Sequence, residues 1–273
     1  MRIDARGVWR ATRTPDGAAT VHIAIERTGE VRVEAWGAGA ERALEDAPAL
    51  LGFHDRPEEL RVAEPRMRGL QARFAGLRLP RSGAVMEALV PAILEQKVTG
   101  TEAWRAWRSL GRRYSEPAPG PAAALGLRLP PSAAVLATVP SWAFHPHGVE
   151  RRRAETVIRA CRETARLEAL AAQPPEAAYA RLQAIPGVGP WTAAEVGLRA
   201  FGDPDAVSVG DFHLPHLVSW ALAGEPRGTD ERMLELLAPY AGQRGCVVRM
   251  LEASGIRAPR YGPRLQPKSI AGF

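Results

Sequence analysis

One short stretch constrains the fold more than any other part of this 273-residue chain: Leu182-Gln183-Ala184-Ile185-Pro186-Gly187-Val188-Gly189-Pro190-Trp191-Thr192-Ala193. A helical segment ends near Ile185, two glycines stand two apart, and a proline opens the next helical segment. Proline loses nothing in the first turn of a helix, where its missing N–H has no partner anyway, and glycine adopts backbone angles closed to other residues. The pattern predicts a tight turn between two helices, close enough for a second backbone to approach. The first amides of the second helix lack intrahelical partners, and with the helix dipole they offer a place for a phosphate. A glycine turn between helices also arises for structural reasons alone.

The surrounding chain reads as sheet first and helices afterwards. Over 20–26, Val21, Ile23 and Ile25 alternate with Thr20, His22, Ala24 and Glu26, and Val31, Val33 and Ala35 alternate with Arg32, Glu34 and Trp36. That is the period of a half-buried strand. Asp16-Gly17 and Thr28-Gly29 stand where turns are needed, so an antiparallel meander is expected, with a helix over 41–51 covering one face. From Pro65 the pattern is helical. Val85, Met86, Leu89, Val90, Ile93 and Leu94 form an apolar stripe, and 149–170 carries Ala154, Val157, Ile158, Cys161 and Ala165 on one side. A Pro-rich loop over 116–121 separates two of the helices, and Pro174-Pro175 starts a short one leading to the turn. The expected fold class is therefore α+β. A small sheet-plus-helix domain occupies 1–75, a mostly helical body occupies 76–257 with the helix-turn-helix at 182–193, and a Pro-rich, weakly structured tail occupies 258–273.

Charge and cysteine content narrow the function. The formal net charge is +6, from 36 basic and 30 acidic residues, which favours an anionic partner with nucleic acid first in line. Lysine occurs only at Lys97 and Lys268, however, and alanine is abundant, a bias that a GC-rich genome produces without selection for binding. Cys161 and Cys246 are too few for an iron–sulfur cluster or an ordinary zinc site, and both read as core residues. No apolar run reaches the roughly 18–20 residues of a membrane span. Arg2, Asp4 and Arg6 have no apolar core behind them, so a cytoplasmic location is expected.

The turn at 182–193 resembles the helix-hairpin-helix motif of the base-excision DNA glycosylase superfamily, whose pattern is aliphatic-Pro-Gly-Val-Gly followed by Thr-Ala. In that superfamily an essential aspartate stands about twenty positions further on. Here Asp211 stands in Ser208-Val209-Gly210-Asp211-Phe212-His213-Leu214, twenty residues after Trp191. The resemblance implies that Asp211 is the catalytic carboxylate, stabilising the positive charge that develops on the sugar and orienting the attacking water. Capping a helix over 212–222 is a second role for the same residue, and the two are compatible. Members that also nick the strand carry a lysine at the position of Trp191. Tryptophan cannot form that Schiff base, so the chain resembles the monofunctional 3-methyladenine DNA glycosylase II branch. Gly76-Leu77-Arg78-Leu79-Pro80 leading into Ala92-Ile93-Leu94-Glu95-Gln96, the stretch Arg152-Arg153-Ala154-Glu155 and the N-terminal meander resemble that branch as well.

The resemblance implies hydrolysis of the N-glycosidic bond of a damaged base, an alkylated purine first, in double-stranded DNA, by a monomer. Gly187, Val188, Gly189, Thr192, Gln96 and Lys97 are the implied DNA contacts, and Trp191, Glu195 and Tyr240 the implied base pocket. The face of Trp191 would favour a cationic purine by roughly 0.5–2 kcal/mol. A sodium or potassium ion held by the carbonyls of Gln183, Ile185 and Val188 is implied too, with no other cofactor and no iron–sulfur cluster. Two residues depart from the branch. Glu195 stands where an aromatic is usual, and either accepts a hydrogen bond from the base or pairs with Arg199 one turn on. Lys97 stands where an apolar wedge is usual, and either enters the duplex or contacts phosphate. His145 and His147 read as a solvated pair. The alternatives are a non-catalytic hairpin protein that binds DNA, and a glycosylase for deaminated or oxidised bases.

Overall fold

The computed structural model of the chain describes residues 1–62 and 64–259. Four strands, β1 (Arg2–Asp4), β2 (Gly7–Thr14), β3 (Gly17–Ile25) and β4 (Val31–Trp36), form an antiparallel meander in sequence order. The alternation in β3 predicts one buried face, but Thr20 and His22 are as buried as Ala19 and Val21. Both faces are covered. Helix α1 (Ala40–Glu45) lays Ala43 on the side of Ala19 and Val21. Across the other side returns the segment 116–130, whose Ala118, Ala122 and Leu129 meet Trp9 and Ala11. The Thr20 hydroxyl donates to the Pro119 carbonyl at 2.8 Å, which satisfies a polar group shut away from water. The Pro-rich stretch that reads as a separator is thus a cover for the sheet.

The single helix expected over 41–51 is two, because α2 (Ala47–Leu50) starts afresh with a proline in its first turn. Next comes α3 (Pro65–Arg73), and the packing does not follow the expected boundary at 75: Met67 is fully buried against helices from the far end of the chain.

Helices α4 (Val85–Glu95), α5 (Gly100–Tyr114), α6 (Ala133–Thr138), α7 (Arg151–Arg162), α8 (Thr164–Glu168), α9 (Pro175–Gln183) and α10 (Pro190–Val196) enclose one large core. The helical run over 149–170 is broken at Glu163, which lies between α7 and α8. A second core joins α3 to α11 (Leu214–Ala223), α12 (Asp230–Leu237) and α13 (Arg244–Ala253). Both cysteines are buried and unbridged, and burial pushes each thiol up to about 12, as befits inert core residues. No helix among the described residues is long and apolar enough to cross a membrane. Of the tail expected over 258–273, residues 260–273 lie outside the described residues.

Helix α4 positions the site. Its stripe is realised: Val85, Leu89, Ile93 and Leu94 are fully buried, each contributing roughly 1.5–3 kcal/mol. Its first amides, on Val85 and Met86, donate to the Glu168 carboxylate at 2.8 and 3.0 Å. At its end the buried Arg153 guanidinium donates to the Leu94 carbonyl at 2.6 Å, placing a cation where the helix dipole is negative. One carboxylate on its flank ties it to the sheet: Glu87 accepts from the Thr12 hydroxyl and the Arg13 amide at 2.7 Å each, and from Arg10 at 3.0 Å.

Candidate active site

The hairpin forms where the glycines predict it, between α9 and α10. Gly187 has φ +99°, and a Cβ there would lie 2.3 Å from the Thr156 hydroxyl of α7, so both the backbone angle and the close approach exclude a side chain. The Val188 amide donates to the Ile185 carbonyl at 2.9 Å, closing the turn. Gly189 starts α10 with no side-chain cap. The side chains of Val188 and Thr192, however, are buried, so neither is offered to DNA. Gln96, directly after α4, explains Thr192: its amide nitrogen donates to the Thr192 hydroxyl at 2.8 Å and to the Gly187 carbonyl at 2.9 Å. Gln96 is a brace between the end of α4 and the hairpin. Lys97 beside it is exposed and has φ +56°, the one positive φ outside glycine among the described residues. Such a conformation in a residue with a side chain stores strain, and clusters at functional positions.

Asp211 and Trp191 are brought together. The Trp191 ring nitrogen donates to Asp211 Oδ2 at 3.1 Å, while Asp211 Oδ1 accepts the amides of His213 and Leu214 at 2.7 and 2.8 Å. The helix begins at Leu214 instead of 212 and its N-cap position is His213, so Asp211 is not the expected cap. It braces the first amides of α11 from two residues outside, and three N–H groups fix its orientation. A carboxylate has about four acceptor directions, so one on Oδ2 stays open. The loop carrying it is pinned from two sides. Gly210, at φ +93°, donates its amide to both Asp230 oxygens at 3.1 Å, and the Ser208 hydroxyl donates to Glu195 Oε1 at 2.5 Å. Ser208 and Asp230 carry no motif signal, and only the folded chain reveals their part.

Glu195 is spoken for on both oxygens. Besides Ser208, it pairs through Oε2 with Arg199 at 2.7 Å, the partner that a spacing of four residues offers on the same helix face. Burial pushes its carboxyl above the usual range, and the nearby carboxylates of Glu95 and Asp211 add to this, while Arg199 and Ser208 pull it back. Arg199 lies in a π-helical turn (Gly197–Phe201) that continues α10, and also reaches Glu95 at the end of α4 at 3.1 Å.

Tyr240 shares its apolar cluster with Val209 and Leu214, on either side of Asp211. It packs in the second core, where burial and the charge of Glu64 raise its hydroxyl. A cavity of about 230 Å³ lies between the 55–79 segment and α13, and is lined by neither Asp211 nor Trp191. His147 is not a solvated residue either: its ring bonds the Ser109 hydroxyl at 2.7 Å and meets Tyr114 edge-on. For the implied cation, the hairpin supplies neutral backbone oxygens, which suit an alkali metal. The Ile185 carbonyl already accepts the Val188 amide, while those of Pro186 and Gly187 are taken by Arg159 and Gln96. The remaining lone pair on Ile185, with Gln183 and Val188, fits the implied set.

A sheet domain, two helical cores and a hairpin whose Trp191 bonds Asp211 make up the architecture, and the solved structures that the chain resembles show the helix-hairpin-helix DNA glycosylase fold. Among solved structures it is similar to the 3-methyladenine DNA glycosylase of Archaeoglobus fulgidus, at a TM-score of 0.76 and 21% identity over 91% of this chain and 87% of that one. It is similar also to the Clostridium acetobutylicum 8-oxoguanine glycosylase/lyase, solved with double-stranded DNA, at a TM-score of 0.65 and 14% identity over 91% and 89%. Among curated proteins, 152 residues are 30% identical to the Mycobacterium tuberculosis protein described as "Probable bifunctional transcriptional activator/DNA repair enzyme AlkA". That match takes in 56% of this chain but only 30% of the relative's length. No family model matches the chain.

Proposed function

We propose that the protein is a monofunctional DNA glycosylase that hydrolyses the N-glycosidic bond of alkylated purines in double-stranded DNA. The observation that carries the reading is the 3.1 Å bond from Trp191 to Asp211, which sets an aromatic face and an oriented carboxylate side by side next to the hairpin. The target nucleotide is rotated out of the duplex at an unstacking cost of a few kcal/mol, least for a lesion that pairs poorly. Trp191 stacks on the extruded base and prefers a cationic one. The open direction on Asp211 Oδ2 faces the sugar, offsets its oxocarbenium-like charge as the base leaves, and orients the water that replaces it.

The hairpin amides of Gly187 and Gly189 grip a phosphate, with a sodium or potassium ion on the Gln183, Ile185 and Val188 carbonyls supplying positive charge there. Lys97, exposed at the end of α4, reaches the duplex. Trp191 also speaks against strand nicking, because an indole cannot supply the amine of a Schiff base. The test is to incubate the protein with methylated, deaminated and oxidised duplexes, and to follow released base and nicking without added alkali. Release from the methylated duplex with an intact strand is the expected result. No release from any of them would overturn the proposal, and nicking would overturn its monofunctional part.

A further inference from the structure

Four side chains, of which only Glu195 belongs to the implied base pocket, form one continuous chain: Ser208 to Glu195 at 2.5 Å, Glu195 to Arg199 at 2.7 Å, and Arg199 to Glu95 at 3.1 Å. Its two ends matter. Ser208 belongs to the loop that carries Asp211, and its carbonyl accepts the Asp211 amide at 3.2 Å. Glu95 is the last residue of α4, directly before the Gln96 brace and the strained Lys97. Resting on the glycosylase reading, we propose that Glu195 is a positioning residue, whose pairing with Arg199 holds the Asp211 loop in register with the DNA-facing end of α4.

The geometry argues for this against contact with the base. Both oxygens of Glu195 are committed, and its side chain is only 15% exposed. Arg199 has two carboxylates, so it stays partnered when either is removed, and the chain can be broken at one link without stranding a charge. A base that docks on Trp191 thus meets an Asp211 loop already set, instead of one that must be ordered on binding. The groups facing Glu195 are Arg199 on its own helical run, Ser208 and Asp211 on the loop, and Glu95 on α4. Among these Arg199 is the cation, so uptake of a proton by Glu195 weakens the link and loosens the loop.

Amide hydrogen exchange and single-turnover excision from methylated duplex, on the full chain, test the proposal together. In E195Q the amides of His213 and Leu214, which donate to Asp211, should exchange several-fold faster. In E95A they should do so too, although the bond Glu95 makes is to Arg199 and not to that loop. Excision by E195Q should slow by about threefold to tenfold at unchanged DNA affinity, the scale of coupling carried by such networks. The parent's rate should fall on acidification, as Glu195 takes up a proton, to the level of E195Q, which should lack that dependence. Exchange changes confined to 95–99 in E95A, or unchanged loop amides in E195Q, overturn the relay. So does an active parent whose rate and pH profile E195Q reproduces. A parent that releases no base from any duplex defeats the glycosylase reading instead, and the exchange arm still decides the relay.

Discussion

Two positions at the candidate site are held in opposite ways. Asp211 accepts three N–H donors, and the residues before it are tied to Asp230 and Glu195, so its direction is set before any ligand arrives. Lys97 is exposed at a backbone angle that disfavours a side chain, and is held through its neighbours Glu95 and Gln96. A group that stabilises charge in a transition state acts best when it need not reorganise, whereas a group that meets a deformable duplex gains from reach. Under the proposed function, the contrast suits chemistry at the fixed group and engagement of DNA at the exposed one.

The largest effect should come from breaking the fixed side. Asp211→Asn should lower single-turnover excision by about 100-fold or more, with DNA affinity kept. Its melting temperature should fall only modestly, since an asparagine oxygen still accepts the His213 and Leu214 amides while its amide nitrogen can no longer accept the Trp191 N–H. An asparagine variant releasing base at the parent's rate would remove Asp211 from the chemistry. Trp191→Phe keeps a ring but takes away the N–H donor. It should slow excision by about tenfold, the value of one hydrogen bond to a charged group.

On the free side, Lys97→Ala should weaken DNA binding and lower the salt dependence by about one unit if the ammonium meets phosphate. Titrations at low salt that match the parent would rule out both a wedge and a phosphate role. Lys97→Gly should shift stability by less than about 1 kcal/mol, since relief at φ +56° offsets the extra freedom of the unfolded chain.

The smallest effect concerns pH. Burial raises the Glu195 carboxyl in the folded protein above its unfolded value, so its protonation favours the fold as a whole even while it weakens the local pair with Arg199. The contribution is fully present below the unfolded value and is lost as pH rises through the folded one. Denaturant melts should therefore show the parent losing stability relative to Glu195→Gln across that window, and parallel curves below it.

Local features survived the passage from sequence to structure best. The glycine turn needs only its own backbone angles, and the meander only its alternation and turns, so both were legible, as was the separation of twenty that pairs Trp191 with Asp211. The choice at Glu195 stayed open because an i to i+4 spacing allows the Arg199 pair without requiring it. What depended on distant partners was hidden. Thr192 reads as a DNA contact until Gln96, 96 positions away, is seen on its hydroxyl, and Asp230 acquires a role only when α12 delivers it to Gly210. The cover on β3 was invisible for the same reason: Thr20 and Pro119 meet across 99 positions. Tyr240 was assigned to the pocket by a loose likeness, and the apolar packing of α3, α11, α12 and α13 holds it in the cluster that also takes in Val209 and Leu214, either side of Asp211.

Helix α4, at 11 residues, is a rod of about 16 Å. Near one end Glu87 clamps strand β2, and at the other stand Gln96 and Lys97. The small sheet, remote in sequence from Asp211, is therefore ballast for the part of the molecule that, under the proposed function, leans on DNA. Loosening that clamp sets the rod adrift at its base, and its tip loses a steady bearing on the duplex.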